Sequence, residues 1–288
     1  MTPSLPRPAA VRHRSFAAFD AHEPLLSDGH RRWCMRGQNF IVERIVSGGQ
    51  PFTVESASEV LVILPDAPAT LSHAPSGTVV ARANGQGSVC ILAAGVHAIA
   101  LAEGGSCAVI ASNRGDIGEG DILNADAYAE PDPRIVPTGR PYLRRPDAPE
   151  ARVFEMASVP APRDNPRLKM LQTETLSINW VDYHGERDRT ALSPHSHTDF
   201  EQGSLALAGN YVHHLRVPWG KNANLWRPDE HLPAPSPSLA VIPVDLVHTT
   251  EGIGGGHHLL IDIFSPPRAD FIAKGWVHNA GDYVPVRD

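Results

Sequence analysis

Short apolar, β-branched runs recur along the chain between clusters of Gly, Pro, Asn and Asp, and few stretches carry a helical period. The spacing predicts strands over 40–46, 59–64, 78–82, 89–92, 97–101 and 107–111 in a first block. A second block of the same texture covers 176–183, 204–208, 211–217, 239–242 and 258–264. Between them, Pro131, Pro133, Pro137, Pro141, Pro146 and Pro149 remove backbone donors and forbid regular pairing, so this stretch reads as a linker. One helix is expected near the end, with Ser265 as cap, Pro266 and Pro267 in the first turn, and Lys274 with Gly275 closing it. The result is an all-β chain with few short helices. Its expected divisions are an N-terminal barrel with an arm over 1–130, a linker over 131–150, and a C-terminal barrel with helix and tail over 151–288. Two similar halves suggest duplication of one small barrel.

The 24 glycines and 27 prolines among 288 residues fit a turn-rich β protein. A net charge of −7, without basic runs, argues against a nucleic-acid partner. No apolar stretch is long enough to span a bilayer, and the first fourteen residues lack the apolar core of a signal peptide, so a cytoplasmic location and no membrane partner are expected. Three cysteines, Cys34, Cys90 and Cys107, show no metal or disulfide spacing and read as small buried hydrophobes. The unusual feature of the composition is its 15 histidines.

Where those histidines cluster is informative. In the stretch from Pro194 to Glu201, His195, His197 and Glu201 share parity, so on one extended strand all three would face the same side. Two imidazoles and a carboxylate converging in a barrel form a ligand set for a divalent first-row metal, and His248, after Pro243-Val244-Asp245-Leu246-Val247, would supply a fourth. Two coordination positions would remain for water, oxygen or substrate.

These residues resemble a known family. His195-x-His197-x-x-x-Glu201 and Pro243-x-x-x-x-His248 are similar to the two signature motifs of the cupin superfamily, whose fold is the double-stranded β-helix or jelly-roll. No glycine leads the first motif, and Gly209 stands one place late after the glutamate. Asp245 occupies a position usually held by glycine, and aspartate tolerates left-handed backbone better than most residues. Residues 87–97, ending in His97, echo the second motif with alanine replacing proline, and only His73 precedes them as a possible partner. The resemblance implies a bicupin with a degenerate N-terminal barrel and one metal ion per chain in the C-terminal barrel. Ferrous iron is favoured, ahead of manganese, zinc or nickel.

Taking Gly209-Asn210 as a two-residue hairpin turn places His214 and Arg216 on the same inward face as Glu201, with Gly203 leaving room for the guanidinium. Tyr211 and His213 would then face outward. Glu201, His214 and Arg216 are the expected catalytic residues, with Glu201 able to detach or take up a proton. An inward arginine beside a metal suits an anionic or hydroxylated small substrate. The stretch 219–238, with Trp226-Arg227-Pro228-Asp229-Glu230-His231, reads as a lid or a subunit contact, and Asp262 with Arg268 as a structural pair. Three functions follow: a ferrous dioxygenase, an oxygen-independent isomerase, lyase or hydrolase using zinc or manganese (similar in plan to uronate ketol-isomerases), and a non-catalytic binding protein. A homodimer is the expected assembly.

Overall fold

The computed structural model describes residues 10–286. It contains two units, each a large sheet facing a smaller one, with every ladder antiparallel and the two sheets of each unit separate from one another. In the first unit the large sheet runs, from edge to edge, Ala151–Glu155, Ser88–Leu92, Val60–Leu64, Ser106–Ala111, Ile41–Val46, His30–Arg36 and Leu25–Ser27. It faces Phe52–Ser56, Gly95–Leu101, Ala69–His73 and Val79–Ala83. In the second unit the large sheet runs Ser15–Ala18, Ser238–Ile242, Gln202–Ala208, His257–Phe264, Ser177–His184 and Met170–Gln172, facing Glu230–Pro235, Asn210–Arg216 and Val247–Ile253. Among the described residues no helix is long and apolar enough to cross a membrane.

Alternation along the strands explains both faces of each large sheet. In Val60–Leu64, residues Val60, Val62 and Leu64 fill the interior of the first unit with Ile45, Leu71, Ile99 and Val109. Leu61 and Ile63 point the other way, toward Leu205, Leu239, Val241, Ile261 and Ile263 of the second unit. The two large sheets thus bury their outer faces against each other. At about 1.5–3 kcal/mol per large side chain, this shared core is the dominant stabilising contact between the units. All three cysteines are buried and free.

Several expectations change. The strand Ser15–Ala18, in the arm expected with the first unit, pairs with Ser238–Ile242 of the second. Conversely Ala151–Glu155, at the start of the expected second unit, pairs with Ser88–Leu92 of the first. Each unit thereby has one edge covered by a segment from the other's side of the linker, as antiparallel edges favour. The turn at Gly209 (φ 88°) does not make a hairpin: the strands on its two sides lie in opposite sheets, and the chain crosses between them. The C-terminal helix is shorter than expected, Ala269–Ala273 with Arg268 at its N-cap, because Ser265 instead bonds the Thr175 carbonyl and the Thr138 hydroxyl. The stretch 219–238 forms a 3-10 turn and an edge strand, and Arg227 bonds the carbonyls of Val11 and Arg12.

Glu59 sits where first unit, linker, second unit and tail meet. Its carboxylate accepts from the Glu174 N–H (2.8 Å) and the Tyr283 hydroxyl (3.3 Å), with Arg144 3.8 Å away. Burial, with the nearby Glu174 carboxylate adding, pushes its pKa up from 4.5 to about 7. The folded chain therefore holds this proton over a range in which the unfolded chain has released it. Stability should fall as pH rises from about 4.5 to about 7, by on the order of 3 kcal/mol from this group. Thermal melts of wild type and Glu59→Gln across that window check this: the variant should lose less stability over the same rise, and equal slopes would refute the assignment.

Candidate metal centre

His195 and His248 are held together by their own backbones. They form an isolated antiparallel bridge in which each N–H donates to the other's carbonyl, at 3.0 and 2.8 Å. Each ring then turns Nδ1 onto the carbonyl two residues back, His195 onto Ser193 and His248 onto Leu246, both at 2.9 Å. A carbonyl only accepts, so Nδ1 carries the hydrogen and Nε2 presents its lone pair. His197 completes the group, and the ligand nitrogens of the three all lie within 4.8 Å of one another. His195 is exposed, His197 half-buried and His248 buried. Burial lowers the His197 pKa to about 4 and that of His248 to about 3, so both are neutral at pH 7, as metal ligands must be.

The turn that delivers His248 uses Asp245 at φ 64°, the left-handed backbone a glycine would otherwise supply. Its N–H donates to the His197 carbonyl (2.6 Å), and its carboxylate pairs with Arg134, which is itself clamped by Asp132. The Val136 N–H holds the Asp199 carbonyl at 2.8 Å. The proline-rich segment, expected to be a plain connection, thus braces both histidine loops.

Glu201 does not join the histidines. Its carboxylate faces the first unit, accepting from the Gln38 N–H (2.6 Å) and the Tyr128 hydroxyl (3.1 Å), and burial raises its pKa. The parity argument assumed one extended strand from His195 to Glu201, but the chain bends at Thr198-Asp199 and the strand begins at Gln202. Gln202 therefore takes the inward place, with Oε1 3.1 Å from His197 Nε2 and 3.2 Å from His248 Nε2. Its amide nitrogen is committed elsewhere, to Asp262 Oδ1 (3.0 Å) and Ser204 Oγ (3.2 Å). Burial raises the Asp262 pKa, opposed by hydrogen bonds from Asn179, Ser204 and Gln202. The amide thus turns its nitrogen to Asp262 and Ser204 and its oxygen toward the imidazoles. Gln202 Oε1 and His248 Nε2 are then two lone pairs facing each other. Such an apposition is repulsive by itself and becomes favourable around a cation, so these residues fit a divalent metal.

The other expected catalytic residues also face away, because the hairpin that would have set their facing does not form. His214 bonds Glu251 and His231, while Arg216 is exposed and bonds Asp229 at 2.9 Å. Tyr211 and His213 point inward in their place, and the imidazole of His213 bonds Thr250 (2.9 Å). The gap at Gly203 accommodates the Phe40 ring of the first unit, 3.0 Å from where a Cβ would stand. Asp262 and Arg268 do not pair: the arginine bonds Asp270. Behind the histidines lies a cavity of about 370 Å³ whose lining includes Gln202, Asp262, Asn179, Thr250, Tyr211 and Arg187. Residues 219–238 contribute nothing to it. One sequence signal pointed to Gln202: Gly209, one place late when counted from Glu201, falls in step when counted from Gln202.

No family model matches the chain, and no curated protein matches it. Solved structures do. An oxalate decarboxylase of Lactobacillus farciminis in complex with formate superposes with a TM-score of 0.59 at 12% identity, over 90% of this chain and 88% of that one. The chain has the two-unit cupin fold. Two Bacillus subtilis oxalate decarboxylase structures align similarly. A tryptophan-to-phenylalanine variant gives a TM-score of 0.57 at 12% identity, over 88% of this chain and 78% of that one. The structure of that enzyme at pH 4.6 gives 0.56 at 12%, over 88% and 77%. The coverage extends over both units of the chain.

Glu201→Ala leaves the half-buried Gln38 N–H and Tyr128 hydroxyl without their acceptor and should cost about 1–3 kcal/mol of stability in urea unfolding. Its effect on metal affinity should be small, which dye-competition titration of the same protein checks.

Proposed function

We propose that this cupin is a metal-dependent enzyme that holds one divalent ion on His195, His197 and His248, with Gln202 as a fourth donor, and acts on a small anionic, oxygenated substrate. The observation that supports this most is the apposition of Gln202 Oε1 and His248 Nε2 at 3.2 Å, which a cation would relieve. Imidazole and carboxamide are uncharged ligand types, so the charge of a divalent ion would be left for an anionic chelating substrate to balance. We favour ferrous iron, which when bound would supply dioxygen activation and Lewis acidity for carbon–carbon cleavage.

The chain's own residues have distinct tasks in this reading. Asp262, held by Asn179, keeps the Gln202 oxygen aimed at the histidines. The Ser193 and Leu246 carbonyls fix two imidazole tautomers. Leu168, Phe264 and Phe271 form apolar walls around the site and limit its water. Glu201, His214 and Arg216 have no part in it.

A second reading is an oxygen-independent lyase or isomerase with manganese or zinc as Lewis acid. It is supported by the fold similarity to oxalate decarboxylases and by Asp262, a buried carboxyl able to move a proton within the cavity.

Elemental analysis of protein purified without chelator decides the first point. Wild type should carry about one equivalent of iron. His195→Ala and His248→Ala should carry little, and Gln202→Leu should bind metal at least about tenfold more weakly. Oxygen uptake with chelating acids then separates the two chemistries: turnover that continues anaerobically would favour the lyase reading. Wild type that stays metal-free after reconstitution with iron, manganese, zinc and nickel would overturn both.

A further inference from the structure

The cavity extends past the histidines, and its lining includes Arg167 and Arg187. Arg187 follows the strand Ser177–His184, and its backbone N–H donates to the Gly252 carbonyl at 3.0 Å. Gly252 stands four residues beyond His248 on the strand Val247–Ile253, about 13 Å along it at ~3.3 Å per residue. Arg187 and Arg167 both line the cavity. Their guanidinium groups form no hydrogen bond or ion pair with any described residue, whereas Arg268, at the same cavity, is tied to Asp270. Burial, followed by the charge of Arg167, lowers the Arg187 pKa, and Tyr183, Asp262 and Asp188 oppose that shift. Two arginines without hydrogen-bond partners lining one cavity, Arg187 half-buried and Arg167 exposed, are an arrangement that an anion stabilises. Tyr211 lines the same region, and its buried hydroxyl has no partner among the described residues. Between the two ends stand the apolar walls Val181 and Leu260.

We infer that Arg187 and Arg167 form a second anion subsite that binds a distal carboxylate, so that the substrate is a small oxo or hydroxy acid with a chelating head at the histidines and a second carboxylate at the far end of the cavity. The inference rests on the metal-dependent reading above. An aliphatic or aromatic segment between the two polar groups would lie against Val181 and Leu260. An acid as short as oxalate would reach one end only. Arg187 would act as a specificity-determining residue, binding the part of the substrate that does not react.

Two titrations test this. Nickel-loaded protein serves as a redox-quiet form, and calorimetry compares 2-oxoglutarate with 2-oxovalerate, which has the same head and lacks the distal carboxylate. Wild type should prefer 2-oxoglutarate by at least about tenfold. Arg187→Gln should abolish the preference while binding 2-oxovalerate as wild type does, and Arg167→Gln should reduce it. Neither side chain has a structural partner among the described residues, so both variants should fold. In the second arm, glutarate should raise the melting temperature of metal-free wild type and leave that of Arg187→Gln unchanged. Equal binding of the two oxo acids by nickel-loaded wild type would overturn the subsite and leave the metal reading standing. Failure to load nickel would count against the metal reading, and the glutarate arm would still decide the subsite: no shift in wild type, or an equal shift in the variant, overturns it.

Discussion

The contact between the outer faces of the two large sheets governs the second unit's register. Leu205, Ile261 and Ile263 must point toward Leu61 and Ile63 of the first unit to bury their surface. Because side chains alternate along a strand, that demand sends Gln202, Ser204 and Ala206 inward on one strand, and Leu260, Asp262 and Phe264 inward on its neighbour. The donor set at the histidines is thus fixed by packing on the opposite side of the sheet. The same demand leaves Glu201 against Gln38 and Tyr128, where its carboxylate links the units.

The two interiors show what each unit can do. The first is filled by Val60, Val62, Leu64, Ile99 and their neighbours. There His97 bonds only the Ala93 carbonyl and stacks edge-on against His73. The second holds polar groups around a cavity, with Asp262 at the centre of a network that reaches Gln202, Ser204 and Asn179. Such a network in a buried setting is costly unless every member is satisfied, and a satisfied one fixes side-chain orientation closely. The first unit therefore contributes rigidity, while the second carries the residues suited to chemistry.

Much of this was legible in the sequence. Strand spacing pointed to the all-β class and two units, and His195, His197 and His248 stood out through their spacing together with Glu201, although the glutamate itself lies elsewhere. The site failed at the step where parity was carried through an unseen bend: Thr198-Asp199 breaks the extended chain, and every assignment from Glu201 to Arg216 moved by one residue or one face. The hairpin assumption failed for a related reason, since strands adjacent in sequence lie in opposing sheets when a chain winds as a jelly-roll. Arg167 and Arg187 were invisible because they lie on connecting segments, whose course depends on the assembled fold.

The exchange of edge strands sets an order of events during synthesis. Arg14 and Glu230, joined by an ion pair beside the strand Ser15–Ala18, are 216 residues apart, and that strand's partner, Ser238–Ile242, emerges later still. The strand Ser15–Ala18 must therefore wait, undocked, until Ser238–Ile242 has left the ribosome. Contacts of such long range close slowly. The first unit can gather its own sheets meanwhile, but its outer apolar face stays uncovered until the second arrives, so the interval between the two units' emergence is the aggregation-prone one.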